Sequence, residues 1–346
     1  MAEAIESGIG APVRRKEDAR FITGQGRYTD DFSQPGQVYA AFLRSPYARA
    51  RIDSVDASEA LAMEGVLAVL TGQDMAADGL GDLPCGWTVK QKDGSDMVTA
   101  PHPPLAHSVV NYAGEPFGLV IASSAAIAWR AAEQVVTEFT ELDAVVEPAM
   151  AMKSEDIHAG VVGNLCYDWE LGEESATDAA LASAAHVTRL DLTNNRLIPN
   201  AMEPRAALGV YDAGTGEHPL DTTSQNPPLE RLVLSAFVQV APEHKLRIIA
   251  PDVGGGFGSK IFVYPEETAV VWAARKLRRP VKWTAERGET FLTDAHGRDH
   301  VTHAELGQDE KGQFVALKDQ TTANLGANLS LFGSNEPTYL YGTLHA

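Results

Sequence analysis

The sequence is poor in cysteine and has no long uninterrupted apolar segment. Its two cysteines, Cys85 and Cys166, lie far apart and form no CxxC spacing, which argues against an iron–sulfur cluster or a cysteine-bound zinc ion on this chain. We expect two reduced thiols in a cytoplasmic protein, with a single disulfide as the alternative. No segment approaches the roughly 18 apolar residues that cross a bilayer, so no membrane span is predicted.

Basic residues are scarce relative to acidic ones. The 346 residues include 28 Lys and Arg against 47 Asp and Glu, giving a formal net charge of −19. A surface this acidic repels phosphate backbones and anionic lipids, so neither nucleic acid nor a membrane is an expected partner. The hydrophobic content of 44% is ordinary for a folded protein, and this length predicts two or three domains.

Strand and helix patterns alternate along the chain, which predicts an α+β fold in two parts. Residues 1–147 are predicted to form a first α/β domain, residues 148–165 a connector, and residues 166–346 a second domain. Residues 75–110 are rich in Gly, Pro and Asp, and we predict a long surface excursion there.

Hydrophobic periodicity predicts the individual elements of both parts. Strands are predicted at Gln37–Leu43, Val66–Thr71, Phe117–Ala122, Thr188–Leu192, Leu246–Ala250, Val281–Arg287 and His300–Leu306. Helices are predicted at Ala125–Phe139, Leu229–Val240 and Pro265–Arg279, with acidic residues at the start and basic residues at the end of the last one.

A glycine-rich segment, Gly254–Gly258, lies between a predicted strand and a predicted helix. Four glycines in five positions allow backbone N–H groups to approach an anion or a polar heterocycle closely, although a flexible turn is the alternative. A P-loop is excluded because Lys260 is followed by Ile261 rather than Ser or Thr. A dinucleotide-binding fingerprint is excluded because Ser259 occupies the position of its third glycine.

Two further segments carry candidate site residues. Asn226 is predicted to cap a helix that begins at Pro227, which places the Gln225 carboxamide at the helix N-terminus, where it can face a site. The alternative for Gln225 is an ordinary polar loop residue. Glu203 is a second candidate because it lies in an otherwise apolar segment. Its alternative is a solvated loop residue that pairs with Arg205.

The ten histidines do not predict a metal site. His296, His300 and His303 are close in sequence, but His300 and His303 lie in a predicted strand, where positions i and i+3 face opposite sides. Surface or packing roles are therefore favoured. No Gly-x-Ser-x-Gly segment occurs, so serine-hydrolase chemistry has no support either.

Taken in order, these segments resemble the molybdenum hydroxylases, the family of xanthine dehydrogenase, aldehyde oxidase and aerobic carbon monoxide dehydrogenase. Arg20–Gly24, Leu43–Ala50 and Gly114–Pro116 are similar to the opening and the hammerhead α/β domain of its large subunit. Asn200–Arg205, Thr222–Asn226 and Gly254–Lys260 are similar to three consecutive landmarks of its first molybdopterin-binding domain. The residues from 229 to 260 most resemble the carbon monoxide dehydrogenase-like branch.

The resemblance implies roles for individual residues. Gln225 matches a glutamine that contacts the molybdenum centre, and Glu203 and Phe257 match positions near the substrate funnel, Glu203 more weakly. Gly256, Phe257 and Gly258 match the loop against the metal centre, and Gly254 and Gly255 support it. No protein ligand to the metal and no catalytic residue is implied here. The general-base glutamate of the family is expected beyond Ala346.

The resemblance also implies cofactors, partners and a reaction. The expected cofactor is molybdopterin with molybdenum, as the cytosine dinucleotide, and [2Fe–2S] clusters and FAD are expected on a small and a medium partner subunit in a dimer of heterotrimers. The enzyme is expected to oxidise an aldehyde, an N-heterocycle or carbon monoxide with water-derived oxygen. This chain is expected to be an incomplete large subunit, inactive alone. The alternative is a non-catalytic half-subunit that acts as a scaffold for a separate C-terminal cofactor domain.

Overall fold

The structure is a computed structural model that describes residues 8–340. The start of the first predicted domain and the end of the second lie outside the described residues. The predicted α+β class is confirmed. The strands are β1 Val38–Arg44, β2 Ala50–Asp56, β3 Val66–Thr71, β4 Val109–Val110, β5 Pro116–Ala122, β6 Val136–Glu141, β7 His186–Asn194, β8 Ala206–Gly209, β9 His218–Thr222, β10 Leu246–Ile249, β11 Val281–Thr284, β12 His300–Gln308 and β13 Phe314–Ala323. The helices are α1 Asp18–Ile22, α2 Ser58–Ala62, α3 Gly72–Ala77, α4 Ala125–Ala132, α5 Pro148–Ala151, α6 Glu174–Ser183, α7 Pro227–Ala236, α8 Pro265–Leu277 and α9 Arg287–Thr293.

A seven-stranded mixed sheet draws strands from both halves of the chain. Its order is β10-β9-β8-β11-β1-β5-β3. The β1–β11 and β9–β10 pairs are parallel, and the remaining neighbours are antiparallel. Because β1 and β11 are hydrogen-bonded neighbours, strands from before and after the predicted connector share one ladder.

Two smaller sheets complete the strand arrangement. The β4-β2-β6 sheet comes from the first half of the chain. The β13-β12-β7 sheet comes from the second half, and helix α6 packs against it through Leu181, whose side chain lies beside Gly307. None of the helices in residues 8–340 is long and apolar enough to cross a membrane.

The principal core lies between the large sheet and helix α8. Residues Ala269–Ala274 of this helix are all buried, and Phe42 and Trp283 meet edge to face with ring centroids 5.5 Å apart. Burial of large aromatic rings contributes strongly to stability. Helix α8 begins with Pro at its first turn, as predicted, and ends two residues before the predicted Arg279. The core therefore fixes the helix that follows the glycine-rich segment.

A buried ion-pair network at the first turn of that helix connects the two halves of the chain. The Arg205 guanidinium donates to Glu266 at 2.8 Å and to Asp294 at 2.6 Å, and its side chain is 1% exposed. Arg44 of β1 donates to Glu266 at 2.9 Å and to Glu289 at 2.7 Å. Burial alone would raise the pKa of Glu266, but the charges of Arg205 and Arg44 outweigh that effect and lower it to about 2.

Three predicted elements have different bounds or character. The helix predicted at Ala125–Phe139 ends at Ala132, and strand β6 follows from Val136. The strand predicted at Val281–Arg287 ends at Thr284, and Arg287 begins helix α9. The helix predicted to reach Val240 ends at Ala236.

The predicted surface excursion at residues 75–110 is wrong in part. The segment is largely irregular, but it packs inward. Its buried apolar side chains are Met75, Leu83, Val89, Met97, Leu105, Ala106 and Val110. A Gly- and Pro-rich composition predicts irregular backbone, but it does not determine whether that backbone is exposed.

Candidate functional site

We call the glycine-rich segment Gly254–Gly258 the glycine loop. Three of its residues have positive φ angles, a conformation that residues other than glycine rarely adopt. The φ angles of Gly255, Phe257 and Gly258 are +99°, +51° and +89°. Glycine adopts this left-handed region without steric cost, whereas Phe257 occupies it at some strain. The Phe257 side chain is 74% exposed. The loop therefore turns sharply and presents an aromatic side chain outward.

Gln225 and the glycine loop are joined directly. The Gln225 Oε1 atom accepts hydrogen bonds from the backbone N–H groups of Gly258 at 3.1 Å and Lys260 at 3.2 Å. A Cβ atom added to Gly256 would lie 2.3 Å from the same oxygen, so this position must be glycine for the contact to form. The structure thus brings together two sequence segments that were predicted to share a site.

The contact leaves a set of hydrogen-bond donors without partners. Because two N–H donors converge on Oε1, the Gln225 Nε2 amino group points elsewhere, and it donates to no acceptor among residues 8–340. The backbone N–H groups of Gly255 and Phe257 likewise donate to no described residue, and neither residue is buried. Gln225 is exposed. The resulting surface offers several donors and suits a ligand that accepts hydrogen bonds.

Glu203 lies beneath the loop rather than in solvent. Its Oε2 atom accepts from the Gly254 N–H at 2.7 Å and from the Lys260 ammonium at 3.0 Å. The alternative pairing of Glu203 with Arg205 is wrong, because Arg205 instead binds Glu266 and Asp294. Burial lowers the pKa of Lys260, and the hydrogen bond and charge of Glu203 partly oppose that shift.

Helix α9 holds the segment that precedes Glu203 through its first residue, Arg287. Arg287 donates to the side-chain oxygen of Asn200 at 2.6 Å and to the carbonyl oxygens of Ala201 and Met202, each at 2.7 Å. This clamp fixes the chain that leads into Glu203. The sequence patterns gave no signal for it, because Arg287 lies far along the chain and was predicted to end a strand.

Tyr264 connects the glycine loop to the buried ion-pair network. Its hydroxyl donates to the Ser259 carbonyl oxygen at 2.6 Å and accepts from the Ala295 N–H at 2.9 Å. The Arg205 guanidinium lies 3.8 Å from the centre of its ring. Burial is the largest influence on the Tyr264 hydroxyl and raises its pKa, so the group remains a neutral donor.

The helix that follows Gln225 starts where it was predicted to start. Asn226 is its N-cap residue and Pro227 its first residue, although the Asn226 side chain makes no capping hydrogen bond. The Gln225 N–H donates instead to the Lys260 carbonyl oxygen at 2.7 Å. Gln225 and Lys260 are therefore joined by one backbone hydrogen bond in addition to the bond between the Lys260 N–H and the Gln225 side chain.

A cavity of about 410 Å³ lies apart from the glycine loop, beside the first turn of α8. Tyr112, Tyr264, Asp294 and residues 324–331 contribute to its wall, whereas Gln225 and the loop do not. The candidate site is consequently an open face, and the cavity is a separate feature that adjoins the buried ion pairs.

The histidines that are close in sequence separate in the structure. His303 is exposed and contacts Asp191 at 2.7 Å, whereas His300 is buried. Among residues 8–340, no group of three or more His, Cys, Asp or Glu side chains could hold a metal ion.

Comparison with known proteins identifies the class that this geometry fits. A family model described as the molybdopterin cofactor-binding domain matches residues 157–345. A second model, the aldehyde oxidase and xanthine dehydrogenase a/b hammerhead domain, matches residues 23–143. The chain belongs to the xanthine oxidase, aldehyde oxidase and carbon monoxide dehydrogenase family of molybdopterin-binding large subunits.

Individual relatives agree with this assignment. The chain is 33% identical over 340 residues to the carbon monoxide dehydrogenase large chain of Afipia carboxidovorans, covering 94% of this chain and 40% of that one. It is 32% identical to the nicotine 6-hydroxylase large subunit of Paenarthrobacter nicotinovorans, covering 92% and 38%. The solved structure of reconstituted CO dehydrogenase from Oligotropha carboxidovorans superposes with a TM-score of 0.81 at 33% identity, covering 91% and 39%. The chain spans about two fifths of the length of these relatives.

The residues at the candidate site fit a molybdopterin. Such a cofactor carries phosphate oxygens and a heterocycle rich in acceptors, and the glycine loop offers backbone N–H donors together with the Gln225 amino group. Glycine at position 256 allows the loop to lie directly against the Gln225 carboxamide, because a Cβ there would lie 2.3 Å from its oxygen.

Proposed function

We propose that this chain provides part of the molybdopterin site in the large subunit of a molybdenum hydroxylase. Its relatives are molybdenum oxidoreductases, and we propose the same kind of activity for the protein to which this chain contributes because of that similarity. The single observation that carries the proposal is the bond from the Gly258 and Lys260 N–H groups to Gln225 Oε1, which leaves the Gln225 amino group exposed.

In this proposal Gln225, Gly256, Phe257 and Gly258 contact the cofactor, and Gly254 and Gly255 shape the loop. The bound molybdenum pterin would supply the redox and oxygen-transfer chemistry. The residues of this chain bind and orient it: the Gln225 Nε2 group donates a hydrogen bond from a position set in advance, which costs little reorganisation. The exposed Phe257 ring and Glu203 border the proposed substrate funnel.

The organisation of the complex is part of the same proposal. In it, residues 1–147 are proposed to form the hammerhead-type domain, residues 148–165 the connector and residues 166–346 the first cofactor domain. The pterin is proposed to be the cytosine dinucleotide. Electrons are proposed to leave through [2Fe–2S] and FAD subunits, because Cys85 and Cys166 are too few for a four-cysteine cluster.

The substrate class follows from the relatives and not from this chain's own pocket. Relatives named for carbon monoxide, nicotine and xanthine all match this sequence, so direct assay decides among an aldehyde, an N-heterocycle and carbon monoxide.

Metal and pterin analysis of the protein matured in its own host tests the proposal. We expect molybdenum and an oxidised pterin derivative in near-equal amounts, together with dye-linked oxidation of at least one of the three substrate classes. A fully matured complex that contains neither molybdenum nor pterin would refute it. Copurification of flavin and iron would test the proposed partner subunits separately.

A further inference from the structure

The two ends of the glycine loop are tied to one carboxylate. Glu203 Oε2 accepts from the Gly254 N–H at 2.7 Å, at the start of the loop, and from the Lys260 ammonium at 3.0 Å, just beyond its end. The Lys260 ammonium also donates to the Glu203 carbonyl oxygen at 2.8 Å. A single residue from a distant segment therefore spans the base of the loop.

The tie is enclosed, which distinguishes it from the exposed ion pairs of the chain. The Lys260 side chain is 1% exposed and that of Glu203 is 14% exposed. Buried charge-assisted hydrogen bonds are short and strongly directional, whereas exposed pairs contribute little. Glu203 also packs closely against the first residue of the loop, because a Cβ added to Gly254 would lie 2.5 Å from Glu203 Cβ.

The backbone of Lys260 forms two hydrogen bonds with Gln225. The Gln225 N–H donates to the Lys260 carbonyl oxygen at 2.7 Å, and the Lys260 N–H donates to Gln225 Oε1 at 3.2 Å. The side chain of Lys260 is held by Glu203 while its backbone holds Gln225. Displacement of Glu203 would consequently shift both the loop and the carboxamide.

We infer that Glu203 and Lys260 are positioning residues that set the conformation of the glycine loop and the direction of the Gln225 amino group. This inference rests on the proposed function for its significance, because the loop and Gln225 are the proposed cofactor contacts. The inference gives Glu203 a supporting role beneath the loop. This role is separate from the position near the substrate funnel that the family resemblance implies for Glu203.

Hydrogen–deuterium exchange of the full cofactor-free chain tests the inference. In Glu203→Ala we expect the peptide covering residues 254–260 to exchange about tenfold faster relative to β1, because bonds to charged groups are worth at least that factor. In Glu203→Gln we expect a smaller increase, since an amide oxygen still accepts from Gly254 and Lys260 although the charge that strengthens both bonds is lost. Asp178→Ala, which removes an exposed contact to Lys318, is the control and should change nothing in the loop.

Two outcomes would overturn the inference. Unchanged loop exchange in Glu203→Ala is one, and equal loosening in the Ala and Gln variants is the other, because it would trace the effect to lost charge instead of a lost acceptor. If Glu203→Ala does not fold, Lys260→Met replaces it, and unchanged exchange of the Gly258 and Lys260-position amides would then overturn the inference.

Molybdenum retention in the matured protein provides a separate readout. We expect Glu203→Ala to lose molybdenum about tenfold faster than Glu203→Gln during dialysis, and equal loss would contradict the inference. The exchange experiment requires no cofactor. Absence of molybdenum from the matured wild-type protein would therefore refute the proposed function. The positioning role would still be tested by the exchange experiment alone.

Discussion

Replacement of Arg205 by methionine tests how strongly the buried network stabilises the protein. The substitution keeps a long side chain but leaves Asp294 without its 2.6 Å partner and leaves Glu266 with Arg44 alone. Breaking a buried ion pair by removing one partner costs about 3–5 kcal/mol. The pKa of Glu266 gives a comparable figure, since a shift from 4.5 to about 2 corresponds to about 3 kcal/mol.

The pH dependence of stability separates this mechanism from a simple loss of packing. A carboxyl group whose pKa is lowered on folding contributes stability above its unfolded pKa of 4.5, and that contribution is lost as the pH falls to about 2. We expect the wild-type free energy of unfolding to fall across this window. In Arg205→Met the fall should be shallower, because the pKa of Glu266 moves back towards its ordinary value.

Urea unfolding at several pH values measures both effects. At pH 7 we expect Arg205→Met to lose about 3–5 kcal/mol, and the control Lys318→Met to lose about 0–1 kcal/mol, since Lys318 makes only exposed ion pairs. A loss below about 1 kcal/mol in Arg205→Met, or an unchanged slope between pH 4.5 and 2, would refute the reasoning.

Two other predictions concern the loop and a second buried carboxyl group. Gly256→Ala places a Cβ 2.3 Å from Gln225 Oε1 and should cost about 1–3 kcal/mol by displacing the carboxamide. Gly288→Ala lies in helix α9 with open space around it, so in urea unfolding it should be neutral or stabilising by up to about 1 kcal/mol. Burial raises the pKa of Glu115 to about 7, so wild-type stability should fall as the pH rises from 4.5 to 7. In Glu115→Gln that decline should be shallower, and a decline of unchanged slope would contradict the assignment.

Local sequence patterns pointed to the segments of the candidate site but not to the contacts that support them. The glycine loop and Gln225 were recognisable because closely spaced glycines and a residue before a proline-initiated helix restrict the backbone locally. The Glu203–Lys260 and Arg205–Glu266 pairs join residues far apart along the chain, and no local pattern specifies them. Glu266 was predicted to complement the positive end of α8, but it lies buried between two arginines.

The error at Ala125–Phe139 has a simple geometric origin. The apolar residues Ile127, Ala131, Val135 and Phe139 are spaced by four, which places them on one face of a helix but also on one face of a strand. The chain changes from α4 to β6 within this series. The β-branched residues near its end favour the strand, and the pairing of β6 with β2 stabilises it.

Gln225→Glu tests the central claim most directly, which is that the Gln225 amino group donates to the bound cofactor. A glutamate keeps the oxygen that accepts from Gly258 and Lys260 but replaces the exposed donor by an acceptor. We predict unchanged hydrogen exchange in the glycine loop and at least about tenfold weaker retention of molybdenum and pterin in the matured protein. Retention equal to wild type, with the loop intact, would contradict the account.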